Sequence, residues 1–472
     1  MGVREATDYK TKYRYRFLCC TILVAVATGM FFEVWQNFVM VNNQTGHLTG
    51  KGNYGMAIIS YMAIFVLLLR YLGAYRIGVD RMANILAAIV LTIWVTNGIE
   101  IFVSCAITGE FRFAPAFIIR YLLLAIAQSV AEGLMMYGMV VIYRKKFPPL
   151  RILEIYGSYD NGLAAKVNTR ADKYCVEKSV SVETDREILR TLIPLYDAVL
   201  INDVASEEKN DIEKYCYEID KRVYFTPKIS DILVRSAEEI NLFDTPLMVC
   251  KNQGMNIYQK LNKRAFDILV TSIALIILSP LMFIVAIAIK LEDGGPVIYK
   301  QERCTLHNRR FMIYKFRSMI VDAEKDGRPH PAGEKDDRIT KVGRFTRACR
   351  IDELPQLWNI LIGDMSIVGP RPERVEHVEK YCAEIPEFRH RAKVRGGLTG
   401  YAQVYGKYNT TPLDKLKMDL TYITNYTFLL DLQIMFETVK ILVQKEATEG
   451  FTEEKSAEMH SYDTESKESK AI

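Results

Sequence analysis

The chain has 472 residues, of which 50% are hydrophobic and 25% charged. This mixture is too apolar for a disordered chain and too charged for a protein made only of membrane helices. The 61 Lys and Arg against 56 Asp and Glu give a net charge of +5, which does not indicate a nucleic-acid partner. The nine cysteines are scattered, without zinc-ligand or disulfide spacing, so reduced thiols facing the cytoplasm are expected.

Four apolar stretches fill the first third of the chain, at residues 17–41, 54–72, 83–108 and 114–143. Each can cross a hydrocarbon layer of about 30 Å as a helix of roughly 20 residues. The first is too long for a signal peptide and lacks a clear small-x-small cleavage site, so we interpret it as an uncleaved anchor. Together the stretches predict a four-span membrane bundle over residues 1–147.

Basic residues precede the first stretch, surround the loop after the second and follow the fourth. By the positive-inside rule, the N-terminus and everything after residue 143 lie in the cytoplasm. Three acidic residues lie in or near the spans: Glu33, Glu100 and Glu132. A functional role and a bundle-facing or interfacial carboxylate are both open for these residues.

From Pro148 the composition becomes that of a soluble protein. Apolar runs at 151–156, 198–201 and 222–225 alternate with polar helical segments at 185–193 and 207–219. The alternation predicts a cytoplasmic, Rossmann-like α/β module with a parallel sheet over residues 148–258. Gly157 and Gly162 lack the spacing of a dinucleotide-binding GxGxxG motif, so a structural or regulatory module is favoured.

A fifth apolar stretch, residues 266–291, has Ser279 and Pro280 near its middle and basic residues at both ends. Proline inside a helix removes a hydrogen bond and kinks it. Cations on both sides favour a bent helix that returns to the cytoplasmic face over a straight span, which would place the rest of the chain outside. The polar tail, residues 446–472, is predicted to be disordered.

Residues 299–404 are dense in groups that suit phosphate. Lys315 and Arg317 stand two apart, which on a strand places both cations on one face. Arg344, Arg347 and Arg350 recur every third residue, so a helix would align them along one side. A solvated surface role is the alternative for any single cation, but two such sets beside acidic residues favour anion binding.

Asp352 and Glu353 follow this row directly, and Pro355 then suits the first turn of a helix. Carboxylates at a helix start are favoured as anions, although helix capping alone explains such a pair. Further on, Arg371 stands between two prolines that present its guanidinium rigidly. These groups around phosphate suggest Mg²⁺, held by one or two carboxylates and substrate oxygens.

A glycine-rich segment, residues 395–404, closes this region. Its small residues allow backbone to approach a ligand closely, although a plain loop explains it nearly as well.

Residues 263 to about 443 closely resemble the bacterial sugar transferase family, the polyprenyl-phosphate glycosyl-1-phosphate transferases. The matching stretches are KRAFDILVTSIALIILSP, YKFRSM, IDELPQLWNILIGDMSIVGPRPE and RGGLTGYAQVYGKYN. With four spans and an α/β module in front, the chain is similar to the large, exopolysaccharide-type members. The resemblance implies an α+β catalytic domain over residues 259–445, with a re-entrant membrane helix at about 263–291 broken at Ser279 and Pro280.

The resemblance also implies a reaction. Asp352 matches the nucleophile that attacks the sugar-linked phosphorus of a UDP-sugar and expels UMP, and Glu353 matches the carboxylate that supports Mg²⁺. Undecaprenyl phosphate then attacks the phospho-aspartyl intermediate in a ping-pong scheme. UDP-glucose or UDP-galactose is the expected donor, in the first membrane step of exopolysaccharide, capsule or O-antigen synthesis. The cations assigned to substrate phosphate are Lys315, Arg317, Arg347, Arg350 and Arg371.

We therefore expect a multi-pass protein of the bacterial inner membrane, with its catalytic domain on the cytoplasmic face and possible homodimerisation. Two alternatives are a membrane hydrolase of diphosphate bonds and an inactive assembly scaffold. The chain departs from the family pattern at Thr305 and Asn308, where glycine is common, and at Tyr401, where Trp is frequent. Because Asn tolerates a left-handed turn and Thr does so poorly, a reshaped turn is expected there.

Overall fold

The computed structural model describes residues 9–39, 51–108, 111, 114–157, 162–242, 244–250, 254–321, 336–406 and 410–443. The tail predicted to be disordered, residues 446–472, lies outside the described residues. The chain divides into two compact units, Met1–Thr226 and Pro227–Ile472.

Four long apolar helices begin the first unit, as the sequence predicts. They are α1 (Tyr9–Val34, extended by a π-helical turn at Trp35–Val39), α2 (Lys51–Tyr71), α3 (Met82–Thr108) and α4 (Ala114–Lys146). Each is long and apolar enough to cross a membrane. Their shared interior is apolar and aromatic, with the rings of Phe31 and Tyr61 stacked at 4.1 Å between centroids.

One buried amide joins all four helices. Gln128 of α4 donates to Ala27 O of α1 at 3.0 Å and to Tyr61 Oη of α2 at 2.8 Å. It accepts from Asn97 Nδ2 of α3 at 2.7 Å. Glu100 and Glu132 are fully buried in the same interior, so both are bundle-facing carboxylates, whereas Glu33 is exposed.

The first unit continues as a parallel four-stranded sheet with strand order β2-β1-β3-β4. Its elements are β1 (Leu150–Tyr156), α5 (Leu163–Asn168), β2 (Tyr174–Ser181), α6 (Arg186–Leu192), β3 (Ala198–Asn202), α7 (Ser206–Glu218) and β4 (Arg222–Phe225). The predicted parallel sheet is thus present. The sequence did not predict β2, because this edge strand is largely polar.

The second unit mixes helices with three two-stranded sheets: β5-β6 and β7-β8 are antiparallel and β9-β10 is parallel. Its elements are α8 (Ile229–Val234), β5 (Glu238–Leu242), β6 (Thr245–Val249), α9 (Ile257–Asp293), β7 (Ile298–Cys304), β8 (Arg310–Phe316), α10 (Lys341–Ala348), α11 (Gln356–Ile362), β9 (Ser366–Val368), α12 (Val375–Glu384), β10 (Gly397–Thr399), α13 (Tyr401–Tyr405), α14 (Pro412–Thr424) and α15 (Phe428–Val443).

Helix α9 is a single element of 37 residues with Pro280 inside it. Before the proline, Val270 and Leu278 pack against the main core of the unit around Ile360. After it, Val285 and Ile289 pack with Phe316 in a smaller cluster. Both arms of the helix therefore pack on the same unit, while the opposite side exposes large apolar side chains such as those of Ile276, Ile277, Phe283 and Ile284.

Candidate functional site

Asp352 and Glu353 lie in a 3₁₀ turn, Ile351–Glu353, between α10 and α11. Helix α10 begins where the Glu292 carboxylate, at the end of α9, accepts from Lys341 N at 2.7 Å. It ends at Ala348, and Arg350 then adopts a left-handed conformation with φ of 56°. The predicted helical row of three arginines is therefore wrong at Arg350, because the helix stops before this residue.

The Glu353 side chain is the centre of a cluster of cations. Lys315 Nζ and Arg371 Nη2 both donate to Glu353 Oε1, at 3.0 and 2.9 Å. Arg350 Nη1 lies 3.7 Å from Glu353 Oε2. Burial alone raises the pKa of Glu353, but Arg371, Lys315 and Arg350 together hold it well below its usual range. This carboxylate therefore stays ionised.

Asp352 lies in a different environment from its neighbour. Its Oδ1 is buried and has no hydrogen-bond partner among the described residues. Burial raises the pKa of Asp352, and the negative charge of Glu353 raises it further, against the opposing charges of Lys315, Arg350 and Arg347. The expectation that both carboxylates are held as anions therefore fits Glu353 better than Asp352.

The other two predicted phosphate-binding cations lie in different surroundings. Strand β8 ends at Phe316, so the alternation of faces stops before Arg317, whose guanidinium pairs with Asp293 at the end of α9. The structure thus does not bring Arg317 to the carboxylate pair. Arg347 lies near enough for its charge to lower the pKa of Asp352, and its Nη1 is buried without a hydrogen-bond partner among the described residues.

The glycine-rich segment packs against the loop that carries Arg371. A Cβ on Gly400 would lie 2.1 Å from Gly369 O, and one on Gly369 would lie 2.4 Å from Arg395 O. Real Cβ contacts are longer than this, so glycine is required where the two chain segments cross. The two segments thus approach each other closely at these glycines, and a close approach to a ligand stays a prediction.

The β7-β8 turn agrees with the expectation that Asn tolerates a left-handed backbone and Thr does so poorly. Thr305 is extended, with φ of −129°, and the left-handed residues are His307 and Asn308. Thr305 therefore carries no backbone strain. Its buried hydroxyl donates to Asp364 O at 2.8 Å and accepts from Gly396 N at 3.2 Å, which joins three segments around the site.

Sequence reasoning missed the role of Asn359, which is fully buried in α11. Its Oδ1 accepts from Tyr314 N at 3.0 Å and its Nδ2 donates to Met312 O at 2.8 Å. The side chain therefore binds the helix after Glu353 to the strand that carries Lys315. A polar residue beside the apolar residues Leu357 and Ile360 was the signal in the sequence.

Helix α9 also contacts the site region directly. Arg264 donates to Ile360 O and Leu361 O, at 2.6 and 2.8 Å, and so caps the end of α11. Ser279 and Pro280 lie exposed inside α9, with Ser279 Oγ donating to Ile276 O at 2.9 Å. Both residues lie on the side of α9 away from the core, and the helix continues through them, so the break stays a prediction.

Both carboxylates could contribute oxygens to a metal. Asp352 Oδ1 has no hydrogen-bond partner among the described residues, and Glu353 Oε2 lies 3.7 Å from Arg350 Nη1. No cluster of three or more metal-ligating side chains occurs in the described part of the chain. Mg²⁺ is commonly bound by one or two carboxylates together with substrate phosphates and water. The residues present therefore fit a Mg²⁺ ion shared with a phosphate ligand.

The long apolar helices indicate a membrane protein. The cations that contact Glu353, next to Asp352, form a candidate anion-binding site. The model of the bacterial sugar transferase family matches residues 258–445. The chain is 38% identical over 185 residues to the exopolysaccharide production protein PSS of Rhizobium leguminosarum, covering 38% of this chain and 92% of that protein. The chain belongs to the bacterial sugar transferase family.

Two longer matches extend beyond this domain. The chain is 34% identical over 328 residues to the UDP-glucose:undecaprenyl-phosphate glucose-1-phosphate transferase of Klebsiella pneumoniae, covering 67% of this chain and 66% of that protein. It is 37% identical over 276 residues to the UDP-N-acetylgalactosamine-undecaprenyl-phosphate N-acetylgalactosaminephosphotransferase of Aeromonas hydrophila, covering 57% and 63%. The matches thus span just under two thirds of these two relatives.

Proposed function

We propose that the protein transfers a sugar 1-phosphate from a UDP-sugar to undecaprenyl phosphate, giving undecaprenyl-diphosphate-sugar and UMP. The observation that carries the proposal is the ionised Glu353 held by Lys315, Arg371 and Arg350 beside the unpaired oxygen of Asp352. UDP-glucose or UDP-galactose is the proposed donor, supported by relatives named for glucose and galactose transfer, although one relative is named for N-acetylgalactosamine.

In the proposed first step, a carboxylate oxygen of Asp352 attacks the sugar-linked phosphorus of the donor. The bond from this phosphorus to the bridging oxygen breaks, and UMP leaves with the electron pair and negative charge. The product on the enzyme is an aspartyl phosphosugar. Arg347 and Arg350, whose charges lower the pKa of Asp352, would bind the donor's phosphates and hold the reacting groups in line.

In the second step, a phosphate oxygen of undecaprenyl phosphate attacks the same phosphorus, and the bond to Asp352 breaks. This regenerates the carboxylate, and no proton has to move in either step. Asp352 and Glu353 would hold Mg²⁺ together with substrate oxygens, and the ion would neutralise charge that develops on phosphate. Glu353 in turn keeps Lys315 and Arg371 in position.

A re-entrant α9 fits this chemistry. A straight span would leave the middle of the helix surrounded by lipid, yet Leu278 and Met282, on either side of the proline, both pack on the catalytic unit. Ile351 and Leu354, which flank the carboxylate pair, pack in the same cluster as the second arm of α9. This arrangement would hold the reacting carboxylate at the surface of the inner membrane on the cytoplasmic side.

We further propose that α1–α4 are four spans and that the sheet β1–β4 is a Rossmann-like cytoplasmic module. The test of the function is UMP release by the purified protein in lipid nanodiscs, with Mg²⁺ and a panel of UDP-sugars, each with and without undecaprenyl phosphate. Lipid-dependent turnover of one donor supports the transferase. Release of free sugar phosphate without lipid indicates a hydrolase, and no release from any donor indicates the scaffold.

A further inference from the structure

The loop that presents Arg371 is held in an unusual way. Pro370 and Pro372 have no backbone N–H, so between them only Arg371 has an N–H to donate. The position of this loop therefore depends mainly on donors that reach its carbonyl oxygens.

Four successive carbonyls of the loop each accept a hydrogen bond. Gly397 N donates to Pro370 O at 2.9 Å, and Cys304 N donates to Glu373 O at 3.0 Å. Between them, Arg391 Nη2 donates to Arg371 O at 3.1 Å and Arg303 Nη1 donates to Pro372 O at 3.2 Å. The two middle contacts thus come from charged side chains, which form stronger hydrogen bonds than neutral donors.

Both arginines are themselves anchored. Arg391 is buried, and its Nε donates to Asp419 Oδ2 at 2.5 Å. Arg303 Nη2 donates to Gln301 Oε1 at 2.6 Å, so both hydrogen bonds of Arg303 go to uncharged oxygens. Burial, and then the nearby charge of Arg371, lowers the pKa of Arg303 to about 10. The guanidinium of Arg303 is therefore held near the guanidinium of Arg371, which is electrostatically unfavourable.

We propose that Arg303 and Arg391 are positioning residues for Arg371: by binding the carbonyls of its loop, they hold its guanidinium against Glu353 and resist its repulsion by the surrounding cations. The inference rests on the proposed transferase function, because the reaction supplies its readout. It assigns a role to Arg303, whose position in β7 gives no sign of one in the sequence.

The test compares Arg303→Met with Arg303→Gln in the nanodisc assay of UMP release. We expect Arg303→Met to lower kcat by roughly 10- to 100-fold, the loss typical of a misplaced catalytic group. Glutamine keeps a neutral donor for Pro372 O, so Arg303→Gln should recover part of this loss. Arg310→Met, on the neighbouring strand and exposed, is the matched control and should leave kcat unchanged. Arg391→Lys keeps a cation beside Asp419, so it should lower kcat less than Arg303→Met does.

A double-mutant cycle with Arg371→Met separates positioning from direct charge. If Arg303 acts through Arg371, adding Arg303→Met to Arg371→Met should cost less than about 3-fold in kcat. Fully additive losses, equal activity of the Gln and Met variants, or a wild-type rate in Arg303→Met would each overturn the inference while leaving the transferase intact. Absence of lipid-dependent UMP release from the wild-type protein would overturn the proposed function and this inference together.

Discussion

Asp352 and Glu353 are adjacent in the chain, yet the pKa of the Asp352 carboxyl is raised and that of Glu353 is lowered. Burial is the largest influence on both groups, but Glu353 receives two direct hydrogen bonds from cations and Asp352 Oδ1 receives none among the described residues. Glu353 is thus a fixed anion, whereas Asp352 keeps an oxygen without a hydrogen bond, as its proposed role as nucleophile requires.

This difference predicts a bell-shaped dependence of kcat/KM on pH. As pH falls through the raised pKa of Asp352, the nucleophile is protonated and activity is lost, so the acid limb should lie above the usual Asp value of about 3.9. As pH rises through the pKa of Lys315, which burial lowers, its positive charge is lost. The alkaline limb should therefore lie below about 10.4, the usual Lys value.

Initial rates of UMP release over a wide pH range would measure both limbs. Lys315→Arg keeps a cation that does not titrate in this range, and should move the alkaline limb upward. An unchanged alkaline limb in this variant would show that another group titrates.

The nucleophile assignment predicts that Asp352→Asn lowers turnover by at least about 10³-fold, since the amide cannot form the aspartyl phosphosugar. The thermal midpoint should change little, because Asp352 Oδ1 has no hydrogen bond to lose in the described structure. Glu379→Gln, an exposed carboxylate on α12, serves as the control and should retain full activity. Substantial activity of Asp352→Asn would contradict the assignment of Asp352 as the nucleophile.

The left-handed backbone of Arg350 predicts that glycine and alanine variants at this position differ in stability but not in activity. This conformation is unfavourable by about 1 kcal/mol or more for a residue with a Cβ, but not for glycine. Arg350→Gly should therefore be more stable than Arg350→Ala by about 1 kcal/mol, measured by unfolding in detergent. Both variants lack the cation near Glu353 and should show similarly reduced UMP release. Equal stability of the two variants would argue against backbone strain at this position.

The buried side chain of Asn359 predicts a large loss of stability on substitution. Asn359→Leu leaves Tyr314 N and Met312 O without their present partners, and each unsatisfied buried group costs about 1–3 kcal/mol. We expect a loss of about 3 kcal/mol in the free energy of unfolding. Gln433→Leu, the same kind of change at a solvent-accessible hydrogen bond, should stay within about 0.5 kcal/mol of wild type and so checks the method.

Because the protein offers few metal ligands, we predict that metal binding depends on the bound nucleotide. Mn²⁺, used as a paramagnetic probe in place of Mg²⁺, should bind weakly to the wild-type protein alone and at least about tenfold more tightly with UDP present, because the nucleotide supplies the missing oxygens. UDP carries no sugar to transfer, so no turnover occurs during the titration. Tight binding without any nucleotide would contradict a metal site shared with substrate.

Much of the architecture was predictable because its signals are local. The four long helices and the buried strands β1 and β3 are mostly apolar, whereas β2 was missed because an edge strand can be polar. Asp352, Glu353 and Arg371 were singled out as a charged constellation and then by family motifs. Arg317, Asn359 and Arg303 could not be understood in this way, because their partners are set by contacts between distant segments.

The packing of α9 has a consequence for how the protein is made. Helix α9 leaves the ribosome before β8, α10 and α11, the segments against which both of its arms pack. If α9 lies at the membrane surface as proposed, the second unit would complete its core on a helix that is already at the lipid. A version that lacks α9 would expose the core side of Ile360 and Phe316 and is expected to aggregate rather than fold, so membrane delivery and folding of this unit would be coupled.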